Sequence, residues 1–197
     1  MSPTGDIALR REDAPAGRLQ LLQSSAWNGF RYGFLDAQGT SLGGFEFPNF
    51  GQARNARLAF HPPGSVAGDI RLVLEGEDYR VDFEYLTRSW NNDLRYCLLH
   101  RDAVCATIDI NQVKGRRWPD ITLRMIEGTR TLHTAKLQNT GHWWRSVFEL
   151  REPSGDLLAH IEEPNVLTLK RRYHIDSARL PRAVKGFLGV VIVSLRL

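Results

Sequence analysis

The chain ends in one apolar segment that everything before it must accommodate. Residues 180–197 read Leu-Pro-Arg-Ala-Val-Lys-Gly-Phe-Leu-Gly-Val-Val-Ile-Val-Ser-Leu-Arg-Leu. The longest apolar run, Phe187 to Leu195, includes Gly189 and Ser194 and falls well short of the roughly 20 residues that carry a helix across a bilayer. The segment therefore needs an apolar place inside a fold or a partner. Val190-Val191-Ile192-Val193 has strand propensity. Leu180-Pro181 ahead of a stretch long enough for four turns suits a helix, because proline is tolerated in the first turn. As a helix, 183–197 would be about 22 Å long and apolar all round through its middle, and so would have to be buried on every side. A helix threaded through a barrel meets that requirement, and so does the central strand of a sheet.

The preceding sequence alternates and turns. Arg80-Val81-Asp82-Phe83-Glu84-Tyr85 is a half-buried strand with Val81, Phe83 and Tyr85 inward. Residues 70–74 precede it across Glu75-Gly76-Glu77-Asp78, a hairpin. Similar units run from Phe30 through Asp36-Ala37-Gln38-Gly39 to Phe47, from Ile121 through Glu127-Gly128-Thr129 to Leu137, and from Trp144 through Pro153-Ser154-Gly155 to Ile161. Glycine supplies the positive φ that such turns need. Trp27-Asn28-Gly29 and Trp90-Asn91-Asn92 open two of the units, and Trp143-Trp144-Arg145 a third, which points to a β-barrel or sandwich of repeated hairpins with ten to twelve strands.

At 197 residues, with 42% hydrophobic and 24% charged, the chain fits one domain with one substantial core. Residues 1–17 lack periodicity and read as a flexible arm, leaving 18–197 as the domain with its central helix at about 181–197. A polar opening and two cysteines point to a reducing, cytoplasmic setting. If Leu99 and Ala103 flank a three-residue turn, Cys97 and Cys105 face each other across a hairpin, as packed thiols or as a cross-strand pair. The net charge is +4, and of the 26 cations 22 are arginine, a residue suited to bidentate contact with phosphate or carboxylate; genomic base composition gives the same bias.

The strand hairpins, the Asp-x-x-Gly turn in Tyr32-Gly33-Phe34-Leu35-Asp36-Ala37-Gln38-Gly39, the stretch from Phe148 to Ile161, and the ending Tyr173-His174-Ile175-Asp176 … Leu180-Pro181 … Phe187 to Leu195 together resemble the tubby C-terminal-like superfamily, which includes tubby proteins, phospholipid scramblases and plant LURP-one-related proteins. The resemblance covers roughly 18–197. It implies a mainly β fold, a closed antiparallel barrel of about twelve strands around a hydrophobic C-terminal helix. Scramblase-type chains carry a short acidic calcium segment before the final strand and helix. Here that region is Lys170-Arg171-Arg172-Tyr173, which is basic, so calcium is not implied. The phosphoinositide-binding basic residues of tubby have no identifiable counterparts at particular positions.

Catalytic patterns are missing: the sequence has no Gly-x-Ser-x-Gly elbow and no phosphate loop of the Gly-x-x-x-x-Gly-Lys kind. His100-x-Asp102 and His174-x-Asp176 each place two ligands on one strand face, but neither has a second pair close in sequence, so no metal site is expected. Glu162-Glu163 face opposite ways as strand neighbours and read as a solvated strand end. Two basic clusters remain, Lys114-Gly115-Arg116-Arg117-Trp118 and Lys170-Arg171-Arg172-Tyr173. Cations beside an aromatic suit an anionic lipid surface or nucleic acid, or else are charge that protects a solvated loop and strand edge.

The expected activity is therefore non-enzymatic and cofactor-free: a binding module, peripheral to a membrane, in which Lys114, Arg116, Arg117, Trp118, Lys170, Arg171 and Arg172 meet anionic lipid headgroups or a protein partner, with no nucleic acid. The alternative is a lipocalin-like carrier of a small apolar ligand, which needs an open lumen.

Overall fold

The computed structural model describes residues 17–24, 31–47, 66–87, 93–114, 118–141, 146–164 and 170–196. Most of the expected arm and Trp27, Trp90, Trp143 and Trp144 lie outside the described residues. Within them run twelve strands and one helix: β1 (Arg18–Gln23), β2 (Arg31–Leu35), β3 (Ser41–Glu46), β4 (Val66–Leu74), β5 (Glu77–Tyr85), β6 (Leu94–His100), β7 (Ala103–Asn111), β8 (Asp120–Glu127), β9 (Arg130–Asn139), β10 (Val147–Arg151), β11 (Leu157–Glu162), β12 (Arg172–Asp176) and α1 (Arg182–Arg196).

Each strand pairs antiparallel with its neighbours in the chain, and β1 closes the ring on β12 with Leu19 opposite Ile175 and Leu21 opposite Tyr173. A closed ring leaves no unpaired edge to template aggregation. The period-two alternation places Leu19, Leu21, Phe34, Leu72, Val81, Leu98, Ile108, Ile161 and Ile175 inward, each at 2% exposure or less. Arg71, Arg80, Asp82, Arg95, Arg124 and Glu149 alternate outward, in ion pairs across or along the strands. A charged wall is the reverse of the apolar band by which a membrane-spanning barrel meets lipid.

The terminal segment is the helix, not the central strand. Phe187, Leu188, Val190, Val191, Ile192 and Val193 are all at most 1% exposed, so the helix is the barrel's core. Its small residues permit close approach: a Cβ at Gly189 would stand 3.2 Å from Leu21 Cδ2. Among the described residues no helix is long and apolar enough to cross a membrane.

The meander sorts its connections by length. Those at 36–40, 75–76, 101–102, 128–129 and 152–156 are tight and share one end of the barrel, where α1 enters. Those at 24–30, 47–65, 86–93, 112–119, 140–146 and 163–171 are longer and share the other. In two of the tight turns both central residues have positive φ, Glu75 with Gly76 and Arg101 with Asp102. This primed geometry matches the strand twist.

That second turn corrects the cysteine expectation. With two central residues rather than three, and a register shift between Leu98 and Leu99, Leu98 pairs with Ala106 and Cys97 with Thr107. Cys105 is the extra residue of the bulge, and both cysteines are free thiols. Burial pushes both thiols above their ordinary values.

Candidate functional site

Both basic clusters sit on connections of the long-loop end, because β7–β8 and β11–β12 are both odd-to-even connections of the meander. Sequence spacing hides this. Lys114 is exposed just beyond β7. Its loop is tied to the next one: the Gln112 amide donates to the Asp93 carboxylate at 2.7 Å, and the Asp93 amide to Thr87 Oγ1 at 3.0 Å. Arg116 and Arg117 lie outside the described residues.

Lys170, Arg171 and Arg172 are exposed at the start of β12. The Arg171 backbone is clamped to β1, donating to Gln23 Oε1 at 2.9 Å and accepting from the Gln23 amide at 2.9 Å. Its guanidinium reaches the Tyr173 hydroxyl at 3.4 Å. Among the described residues Lys114 and Arg172 form no ion pair. Trp118 stands apart from the cations: it packs against the core, edge-on to Phe148 at 6.1 Å between ring centroids.

Beneath this rim the inner wall turns polar. Ser146, at 2% exposure, donates to Glu163 Oε2 at 3.1 Å, and the Glu163 amide donates to the Ser146 carbonyl at 2.9 Å. Glu163 is itself buried at 7%, which corrects the solvated strand end expected for the Glu162-Glu163 pair. The two do face opposite ways, but β11 continues its alternation one residue past the ladder and turns Glu163 into the barrel mouth. Tyr32 and Tyr173 are also buried there, and burial pushes the Tyr32 phenol above its ordinary value, with Tyr173 adding to the rise.

Ion pairs occur at both ends: Arg31 meets Glu46 at the long-loop end, and among the described residues more of them gather at the tight-turn end. Arg18 meets Asp176 through two bonds at 2.9 and 3.0 Å, Arg179 meets Glu152 through two at 3.1 Å, Arg80 reaches Asp102 at 3.3 Å, and Arg182 pairs with Glu75. Lys185, 4% exposed on the first turns of α1, donates to the Gly17 carbonyl at 2.9 Å. Burial lowers its pKa from the usual lysine value, with Arg182 acting in the same direction.

Midway along the wall, outward-facing Asp109 is 5% exposed beneath Arg95 at 2.7 Å and Arg124. Burial alone would raise this carboxyl, but the two guanidiniums overcome that and hold it below its ordinary range. Among the described residues no group of three or more His, Cys, Asp or Glu side chains could hold a metal ion. Comparison with models of protein families, with curated proteins and with solved structures finds no match.

Proposed function

We propose that the chain is a non-enzymatic binding module of the tubby/scramblase-like type, whose long-loop end docks on an anionic surface, with anionic lipid headgroups as the first candidate. One observation carries this reading: two basic clusters more than fifty residues apart in sequence emerge from the same end of the barrel. The opposite end pairs most of its arginines with carboxylates, whereas at the long-loop end Arg31 pairs with Glu46 and, among the described residues, Lys114 and Arg172 form no ion pair. A cation near an anionic membrane contributes about 1 kcal/mol, and the attraction falls off within a Debye length of about 10 Å. One cluster alone binds weakly. Lys114, Lys170, Arg171 and Arg172 on one end add their contributions, and Arg116 and Arg117 belong to the same connection. Trp118 supports the loop from the core side and is not part of the proposed contact.

The carrier alternative has less in its favour. The barrel axis is filled by Phe187, Leu188 and Val191, whose side chains occupy the space a lumenal ligand would need.

Co-sedimentation with vesicles of phosphatidylcholine alone and with added phosphatidylserine, at low and physiological salt, tests the proposal. The expected result is binding that requires the anionic lipid, weakens with salt, and is lost in Lys114→Glu/Arg172→Glu. An Arg101→Glu/Arg130→Glu control makes the same charge change at the tight-turn end and is expected to retain binding. Equal loss in both variants would reduce the effect to net charge, and no binding by the wild type would remove lipid from the proposal.

A further inference from the structure

Lys185 is the one lysine that the barrel encloses. The chain has four, and Lys114, Lys136 and Lys170 are exposed, whereas Lys185 is 4% exposed on the first turns of α1. Its side chain donates to the Gly17 carbonyl, a neutral acceptor, and among the described residues no carboxylate pairs with it. The surroundings favour the uncharged amine: burial lowers its pKa first and Arg182 next, against an opposing pull from Asp176. The first turn of α1 holds no acidic residue, so the positive end of the helix dipole adds to the cations there. The amine lines a cavity of about 120 Å³ together with Arg18, Leu19, Leu42 and Arg182. Asp36 is on the same wall, but its Oδ1 accepts from the Gln38 and Thr40 amides at 2.9 and 2.8 Å.

We propose that Lys185 is a carbamylation site, at which carbon dioxide entering this cavity adds to Nζ. The proposal is independent of the membrane reading, since the cavity lies at the tight-turn end. The reacting form is the neutral amine, the form that burial makes available in a lysine. Its lone pair bonds to the carbon of CO2, one C=O electron pair moves onto oxygen, and one proton leaves the nitrogen for solvent: R–NH2 + CO2 gives R–NH–COO− + H+. The N–H that remains on Nζ keeps the bond to the Gly17 carbonyl. Size and charge select carbon dioxide among electrophiles. The cavity is small, and CO2 is one of the smallest carbon electrophiles. A Schiff base with an aldehyde or ketone is fully favoured only as a cation, which Arg182 and the helix N-terminus oppose. A carbamate turns the site anionic, which both favour. Arg18 and Arg182 already hold Asp176 and Glu75, and each guanidinium keeps further N–H donors, so neither ion pair has to break.

Incubation of the full chain with carbon-13 bicarbonate at mildly alkaline pH tests this, with the carbamate carbon followed by NMR, then trapped by O-alkylation and located by peptide mass mapping. The expected result is label on Lys185 several-fold above that on Lys114, Lys136 or Lys170, and a carbamate resonance that is absent from Lys185→Met. Arg182→Gln leaves the amine in place and removes the cation that favours both the neutral amine and the carbamate, so several-fold less label on Lys185 is expected from it. The peptide map of the wild type carries the test if Lys185→Met does not fold. No label on Lys185, label spread evenly over the four lysines, the same resonance in folded Lys185→Met, or undiminished label in Arg182→Gln would overturn the proposal.

Discussion

The Ser194 hydroxyl, on the last turn of the buried helix, lies 3.0 Å from the Tyr96 hydroxyl on the barrel wall. Ser194 also reaches the Val191 carbonyl at 2.8 Å. A hydroxyl has one proton to give; with Ser194's spent on the carbonyl, Tyr96 donates to Ser194. Both residues are buried, so neither can turn to water when the other is removed. Ser194→Ala or Tyr96→Phe is therefore expected to cost about 1–3 kcal/mol, and the double variant less than the sum of the two. Denaturant unfolding of the three variants measures the coupling; additive losses would show that the hydroxyls act separately.

The helix is the core, so it is not dispensable. Deletion of 183–197 is expected to abolish soluble expression. Leu188→Ala, which empties space beside a residue at 0% exposure, is expected to cost about 2–5 kcal/mol by thermal or chemical unfolding. A well-folded truncated barrel would contradict the buried-helix account.

Gly44 is required by a close approach between strands. A Cβ there would collide with the Tyr32 carbonyl oxygen, which is backbone and cannot swing aside. Gly44→Ala is expected to destabilise by about 1–3 kcal/mol or more, the cost of forcing a side chain into space the neighbouring backbone occupies, and a melting temperature unchanged from wild type would refute this.

Asp109 makes stability depend on pH. Its folded pKa is below the unfolded value, so the stability it contributes is whole above about pH 3.9 and is lost as pH falls through the folded value. The stability difference between wild type and Asp109→Asn is therefore expected to be largest near neutrality and to shrink below about pH 4. A difference that stays constant down to strongly acid pH would mean that the Arg95 and Arg124 contacts do not perturb the carboxyl.

Local pattern made much of this fold legible. The strict alternation of 80–85 and the turn residues around Gly39, Gly76, Gly128 and Gly155 correspond to observed strands and turns. The choice between helix and strand for the last segment was not legible from propensity, because Val190 to Val193 favours a strand and burial inside the ring overrides that preference. Long-range register was hidden as well. Nothing local sets Arg18 opposite Asp176, brings the two basic clusters to one end, or aligns His160-x-Glu162 with His174-x-Asp176. The cysteine pairing failed by two positions, one from a turn of two residues rather than three and one from the bulge that leaves Cys105 unpaired in the ladder.

The most direct test of the binding account is the orientation of the barrel on a membrane. Single-cysteine variants carrying an environment-sensitive fluorophore at Lys114 and at Thr129, in a background without Cys97 and Cys105, place one probe at each end. On vesicles containing phosphatidylserine, a blue-shifted, intensified emission is expected from position 114 and none from position 129. The reverse pattern, or the same response from both ends, would contradict docking through the long loops.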